Sequence, residues 1–169
     1  MSDERLIPLD SPLQDAWLKG TCYGCGPNNP QGLQLKSYWS EIEDAAICTF
    51  QGKPYHNAGF ENVMYGGLVA SLCDCHSIWA AIAATYRQEG RVHGSLPAIS
   101  YVTGNLNVSF LHPTPLNHPI ILKAKVEEIK GRKASIYTVV LSDDRITAEA
   151  KVVAVRVLSD KSIGAVMGG

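Results

Sequence analysis

Apolar residues in the middle of the chain recur with the period of a helix. Between Gly66 and Tyr86, the residues Leu68, Leu72, Cys75, Trp79, Ile82 and Tyr86 follow one another at spacings of four and three. No proline interrupts the stretch, and its only glycines are Gly66 and Gly67. The remaining positions are mostly Ala, Val, Ser, Cys and Ile, so the predicted helix is apolar nearly all round, as a buried helix is. At 1.5 Å per residue it spans about 30 Å. Beyond a polar connector, Arg87 to Pro97, the period drops to two. Leu106, Val108 and Phe110 alternate with Asn105, Asn107 and Ser109. Ile120, Leu122, Ala124 and Val126 alternate with Ile121, Lys123, Lys125 and Glu127. Ala134, Ile136, Thr138 and Val140 follow a turn at Gly131, and Ile146 to Val157 follows Ser142-Asp-Asp144. Earlier in the chain, Leu33 to Trp39 and Ala46 to Phe50 read as two strands around the acidic turn Glu41 to Asp44. The fold class is therefore α+β: one long helix wrapped by a curved antiparallel sheet of five to six strands. Such a sheet leaves an outer face and edges to cover, so a homo-oligomer is expected.

A length of 169 residues suits one domain, with a loop-rich lead-in over 1–32, a core over 33–157 and a tail over 158–169. A formal charge of −1 excludes the basic footprint of a general nucleic-acid binder, and 46% hydrophobic residues exclude disorder. The longest uninterrupted apolar run, Ile78 to Ala84, is too short for a bilayer, and Met1 to Asp10 lacks the apolar stretch of a signal peptide. The expectation is a cytoplasmic protein with neither nucleic acid nor membrane as partner. Five cysteines, Cys22, Cys25, Cys48, Cys73 and Cys75, do not suggest a disulfide framework in such a chain. Cys22-Tyr-Gly-Cys25 has zinc-knuckle spacing, but Cys73 and Cys75 sit two apart on a helix and point to different sides. Reduced, packed thiols are expected, with no metal.

From Asn62 to Tyr86 the only formally charged side chain is Asp74. A solvated helix face would carry further charges at positions 70, 71, 77, 78 and 81, which are Ala, Ser, Ser, Ile and Ala. An isolated carboxylate in apolar surroundings is costly unless paired, hydrogen-bonded or used in chemistry. Gly66 and Gly67 open the same helix, where free amides and the positive end of the macrodipole can face a ligand oxygen. Without a Cβ, those amides can approach a carbonyl as an oxyanion hole does; close packing of the helix entry is the plainer role for the pair. A carboxylate two turns on could then activate water or attack that carbonyl. Thr103, Asn105, Asn107 and Ser109 form the polar side of the next strand, either solvated or placed to lean on a carboxylate. Lys123, Lys125, Lys130, Arg132 and Lys133 outnumber Glu127 and Glu128 in one hairpin, a local excess that could receive phosphates.

Gly66-Gly-Leu-Val-Ala-Ser-Leu-Cys-Asp74, followed by Thr103-Gly-Asn-Leu-Asn-Val-Ser-Phe-Leu-His-Pro113, resembles the hot-dog-fold acyl-CoA thioesterases of the phenylacetyl-CoA thioesterase-like (PaaI-like) group. Cys22 to Leu33 is similar to the lead-in of many members, and Gly131-Arg-Lys133 to their hairpin turn. The resemblance implies a hot-dog fold and hydrolysis of a fatty or aromatic acyl-CoA with no cofactor beyond the CoA of the substrate. It implies Asp74 as nucleophile or general base and an oxyanion donor at the N–H of Gly66 or Gly67. It also implies a Thr103 supplied by the partner subunit to position water, with Asn105 on the same strand, and Arg132 and Lys133 near the CoA phosphates. Sites would lie at the interfaces of a homodimer or homotetramer. One departure stands out: Tyr65 precedes the glycine pair where the group carries His or Asn. Its phenol can still donate a hydrogen bond, and His56 in the preceding loop can bring an imidazole to the substrate. Two other functions share the fold: a non-catalytic acyl-CoA or small-molecule binding protein, and an acyl-CoA dehydratase or hydratase, which needs an acid–base His beside the carboxylate. Acyl preference is expected to follow pocket depth, set by Trp79, Ala83 and Tyr86.

Overall fold

The computed structural model describes residues 10–158; positions 1–9 of the lead-in and 159–169 of the tail lie outside the described residues. The amphipathic stretch near the start closes into one 3-10 turn, Leu13–Trp17. Strands β1 (Tyr38–Ser40) and β2 (Ala45–Phe50) flank the acidic turn. The helix α1 runs from Gly66 to Gln88, 23 residues, and four long strands follow: β3 (Ser100–Phe110), β4 (Ile120–Lys130), β5 (Lys133–Ser142) and β6 (Arg145–Val157). All neighbours are antiparallel, in the order β1-β2-β4-β5-β6-β3. The six strands close over α1, which packs against β2 through β6. This is one long helix in a six-stranded antiparallel sheet, as the periodicities predict.

The core forms between α1 and the inner face of the sheet. Leu72, Cys73, Ala80 and Ala81 meet Leu122, Ile136, Val140 and Val152, all essentially without solvent exposure. Small residues on the sheet side (Ala46, Ala124, Ala134, Ala148, Ala150 and Ala154) let the helix lie close to the strands. By length and composition α1 could cross a membrane, which the length of the uninterrupted apolar run did not show; here most of it is buried against the sheet. Two tight hairpins set the register. Gly131, at φ +58°, and Arg132 join β4 to β5, while Asp143 and Asp144 join β5 to β6.

Two expectations change. Leu33 to Ser37 is not a strand, because its backbone is used to hold the lead-in: Leu33 N–H donates to Tyr23 O, Leu35 N–H to Gly24 O, and Ser37 O accepts from Leu13 N–H. Nor is β3 evenly alternating. Thr103 pairs with Ala154 and Asn105 with Val153, so Gly104 is an extra residue, a bulge. Beyond it Leu106, Val108 and Phe110 oppose Val152, Ala150 and Ala148 on the inner face. The extra residue puts Thr103 on that inner face as well and turns Asn105, Asn107 and Ser109 to the outer one.

Candidate active site

Asp74 sits half-buried on the third turn of α1, where its helix face meets the start of β3. The Thr103 hydroxyl donates a hydrogen bond to Asp74 Oδ1 within the same chain. The partner subunit is therefore not needed to supply Thr103, contrary to the expectation drawn from the resemblance. The physical reason is the Gly104 bulge, which aims Thr103 at the helix. Asn105, past the bulge, lies on the opposite face and does not join Asp74. Oδ2 accepts no protein hydrogen bond among the described residues, which leaves it open to a water or a substrate.

Asp74 and Thr103 line a cavity of about 410 Å³ between α1, the lead-in and the segment entering β3. Its walls are mostly apolar: Trp17, Ile78, Trp79, Ile82 and Tyr86 among them. Trp79 and Tyr86 were expected there; Ala83 is buried elsewhere in the core and Ile82 takes its place. A carboxylate at the edge of an apolar cavity of this volume suits a ligand with an apolar body and a reactive polar end.

The same cavity is walled by sulfur. Cys22, Cys25 and Cys75 bring their Sγ atoms within 4.8 Å of one another, and Trp79 Nε1–H donates to Cys25 Sγ at 3.2 Å. Hydrogen bonding from Cys75 draws the Cys25 thiol down to about 6 against the cost of burial, helped by Trp79 and Cys22, and the same coupling pushes Cys75 up. Cys73 and Cys48 stand apart in the core, raised to about 12 by burial. The lead-in around Cys22 and Cys25 closes one side of the cavity.

At the helix entry, Leu68 N–H and Val69 N–H both donate to Tyr65 O, and the amides of Gly66 and Gly67 have no backbone acceptor among the described residues. The Tyr65 ring lies over Gly67, where a Cβ would come within 2.4 Å of it. His56 supports this turn: its carbonyl accepts from Tyr65 N–H and its Nδ1 from Lys53 N–H at 3.1 Å. Burial, and then the Lys53 charge, lower its basicity. The seven residues from Gly67 to Asp74 put about 10 Å of helix between them. One chain's glycine amides and its own Asp74 therefore cannot act on one carbonyl, although the sequence suggested that pairing.

A family model described as the thioesterase superfamily matches residues 61–149, which include both Asp74 and Thr103. The chain belongs to the thioesterase superfamily. A crystal structure of a thioesterase superfamily protein from Shewanella loihica is 34% identical, with a TM-score of 0.62 over 84% of this chain and 96% of that one. The E. coli PaaI protein from the phenylacetic acid degradation operon shares the fold at 15% identity, with a TM-score of 0.55 over 68% of this chain and 73% of its own. Among curated proteins, acyl-coenzyme A thioesterase THEM4 of Rattus norvegicus is 25% identical over 129 residues, 76% of this chain and 50% of that protein. The Bos taurus THEM4 is 28% identical over 116 residues, 69% of this chain and 42% of its own. The chain thus spans half or less of the length of these curated relatives.

Within this superfamily fold the hairpin cations separate. Arg132 is tied to the β6 backbone, Nε and Nη2 donating to Arg156 O at 3.1 and 3.0 Å, and Lys123 is paired with Glu43 at 2.7 Å. Lys133 is exposed, two strands from Val102 through Val155, about 10 Å across the sheet. Sequence reasoning missed the union of Cys75 with the lead-in cysteines; the Cys-x-x-Cys spacing and a third cysteine beside Asp74 were its signal. It also missed the polar network behind α1. There Gln14 Nε2–H donates to Ser37 Oγ, Ser37 Oγ–H donates to His76 Nδ1 at 2.8 Å, and His76 Nε2–H donates to Ala46 O at 3.0 Å.

Proposed function

We propose that the protein hydrolyses acyl-CoA thioesters, with Asp74 as the group that activates water or attacks the thioester carbon. The observation that carries this reading is the Asp74–Thr103 pair at the edge of an apolar cavity, on the helix and strand matched by the superfamily model. Thr103 holds one carboxylate oxygen and leaves the other for chemistry, a positioning role. The substrate class is supported by the acyl-CoA thioesterase activity of the THEM4 relatives and by a Streptococcus mutans structural neighbour that was crystallised bound to acetyl CoA.

The oxyanion donors come from a second copy in this reading, because about 10 Å separates Gly67 from Asp74 along one helix. Strand β3 is a long edge strand of the sheet and mostly exposed, and Phe110 (56% exposed) lies against Gly66 with Tyr65 (59%) close by. An apolar edge beside a helix N-terminus is a surface that a homodimer would cover. Within it the partner's Gly66 and Gly67 amides would face the carbonyl near Asp74, the Tyr65 phenol would donate beside them, and Lys133 would meet CoA phosphates. No protein group other than these is required for the step: a water adds to the thioester carbon, its proton passes to Asp74, and the CoA thiolate leaves.

CoA release from a panel of thioesters, acetyl to palmitoyl plus aromatic acids, tests the reading with a thiol reagent. Turnover of at least one member with saturation kinetics is expected. Tight binding of acyl-CoA without thiol release across the panel would replace hydrolase with binding protein.

A further inference from the structure

Three thiols of the cavity wall remain unused by the hydrolytic reading. Cys22 and Cys25 come from the lead-in and Cys75 from α1, and their sulfurs lie within 4.8 Å of one another, Cys22 and Cys75 at 3.8 Å. A Zn–S bond of about 2.3 Å requires sulfurs about 3.8 Å apart in a tetrahedral site and about 4.0 Å apart in a trigonal one. The Cys22–Cys75 separation matches the tetrahedral value, and all three sulfurs lie within 4.8 Å of one another. It is also the one cluster of three candidate ligands among the described residues.

The backbone around the cluster is built for this approach. Gly26 N–H donates to Cys22 O at 2.8 Å, folding Cys22-Tyr-Gly-Cys25 into a tight turn, while Leu33 and Leu35 donate to Tyr23 and Gly24 carbonyls and fix it from behind. A Cβ on Gly26 would lie 2.5 Å from Cys22 N, and a Cβ on Gly24 would lie 2.3 Å from Cys75 Sγ. Gly24 therefore clears the space that Cys75 Sγ occupies, Gly26 lets the turn close tightly on the Cys22 backbone, and neither needs a left-handed backbone. The Trp79 indole N–H on Cys25 Sγ orients that sulfur from the far side, as an outer partner does for a metal ligand.

We propose that Cys22, Cys25 and Cys75 form a three-thiolate site for a soft d10 metal ion, zinc being the divalent case and copper(I) the monovalent one. Thiolate sets select these ions over magnesium or calcium, which take oxygen ligands. Three protein sulfurs would leave tetrahedral zinc one further coordination position and would complete a trigonal copper(I) site. An ion there narrows the space beside Asp74; that consequence rests on the hydrolase reading, whereas ion binding does not.

The reduced full chain, kept anaerobic, is titrated with Zn²⁺ against a chromophoric chelator, with Co²⁺ and with Cu⁺ in parallel. One ion per chain is expected, and the Co²⁺ form should show thiolate-to-metal charge-transfer absorption. Cys22→Ser, Cys25→Ser and Cys75→Ser should each weaken uptake at least about 100-fold, the upper range already seen for loss of an outer partner. Cys73→Ala should retain it. Gly24→Ala keeps all three thiols but displaces Cys75 Sγ, and so replaces any Cys→Ser variant whose circular dichroism shows it unfolded. Stoichiometric uptake lost in these variants supports the site. No uptake of any of the three ions, or uptake unchanged in both Cys75→Ser and Gly24→Ala, overturns it. None of these readouts uses turnover, so failure here leaves the hydrolase reading untouched.

Discussion

His76 is fully buried on α1 with both ring nitrogens committed, so near neutral pH it holds a single proton. A second proton would have to sit on Nδ1, which accepts from Ser37, and burial sets the imidazole down to about 4. In the unfolded chain the same group takes a proton near 6.5. Between these values the unfolded state binds more protons, so stability falls as pH drops from about 6.5 to 4 and levels off below. The loss amounts to about 3 kcal/mol for this one residue. Chemical denaturation across that window measures it, and His76→Gln should flatten the dependence while lowering stability at pH 7. A slope unaltered in the variant would assign the effect to other groups. Asp74, two residues away, is only half-buried and exchanges this structural duty for access to the cavity.

Among the elements, β3 carries the most information that the sequence concealed. The Gly104 bulge lets Thr103 share the inner face with Leu106, Val108 and Phe110 while Asn105 turns outward, so the hydroxyl at Thr103 is the group to test. Thr103→Ala, which removes the hydroxyl held on Asp74, should lower kcat about 100-fold, the scale of a misplaced catalytic contact. Normal turnover in a folded Thr103→Ala variant would remove Thr103 from the positioning role. Alternation over Leu106, Val108 and Phe110 was legible, as were α1 and both hairpin turns, because each depends on neighbours a few residues apart. The bulge was not: Gly104 reads as any strand glycine until the partner strand shows two residues facing one. The Leu33 to Ser37 segment failed as a strand for a similar reason, since its hydrogen bonds go to a lead-in whose position is set by tertiary packing. Asp74 stood out because it is alone in an apolar helix, while Cys75 was hidden by being one more buried-helix residue.

For the whole molecule, the proposed shared site rests on the exposed edge of β3 and on the roughly 10 Å between Gly67 and Asp74. Phe110→Lys on that edge should convert a dimer or tetramer to monomers in light scattering and abolish hydrolysis with it. A fully active monomer would contradict the shared site. Whatever the assembly, the proposed hydrolysis rests on Asp74, and Asp74→Asn tests that role most directly. The amide keeps the shape and can still meet the Thr103 hydroxyl, but it can neither accept water's proton nor attack the thioester. On a thioester the parent chain turns over, kcat should fall by at least about 100-fold with KM and melting temperature nearly unchanged. Parental kcat in a folded Asp74→Asn protein would contradict the catalytic role of Asp74.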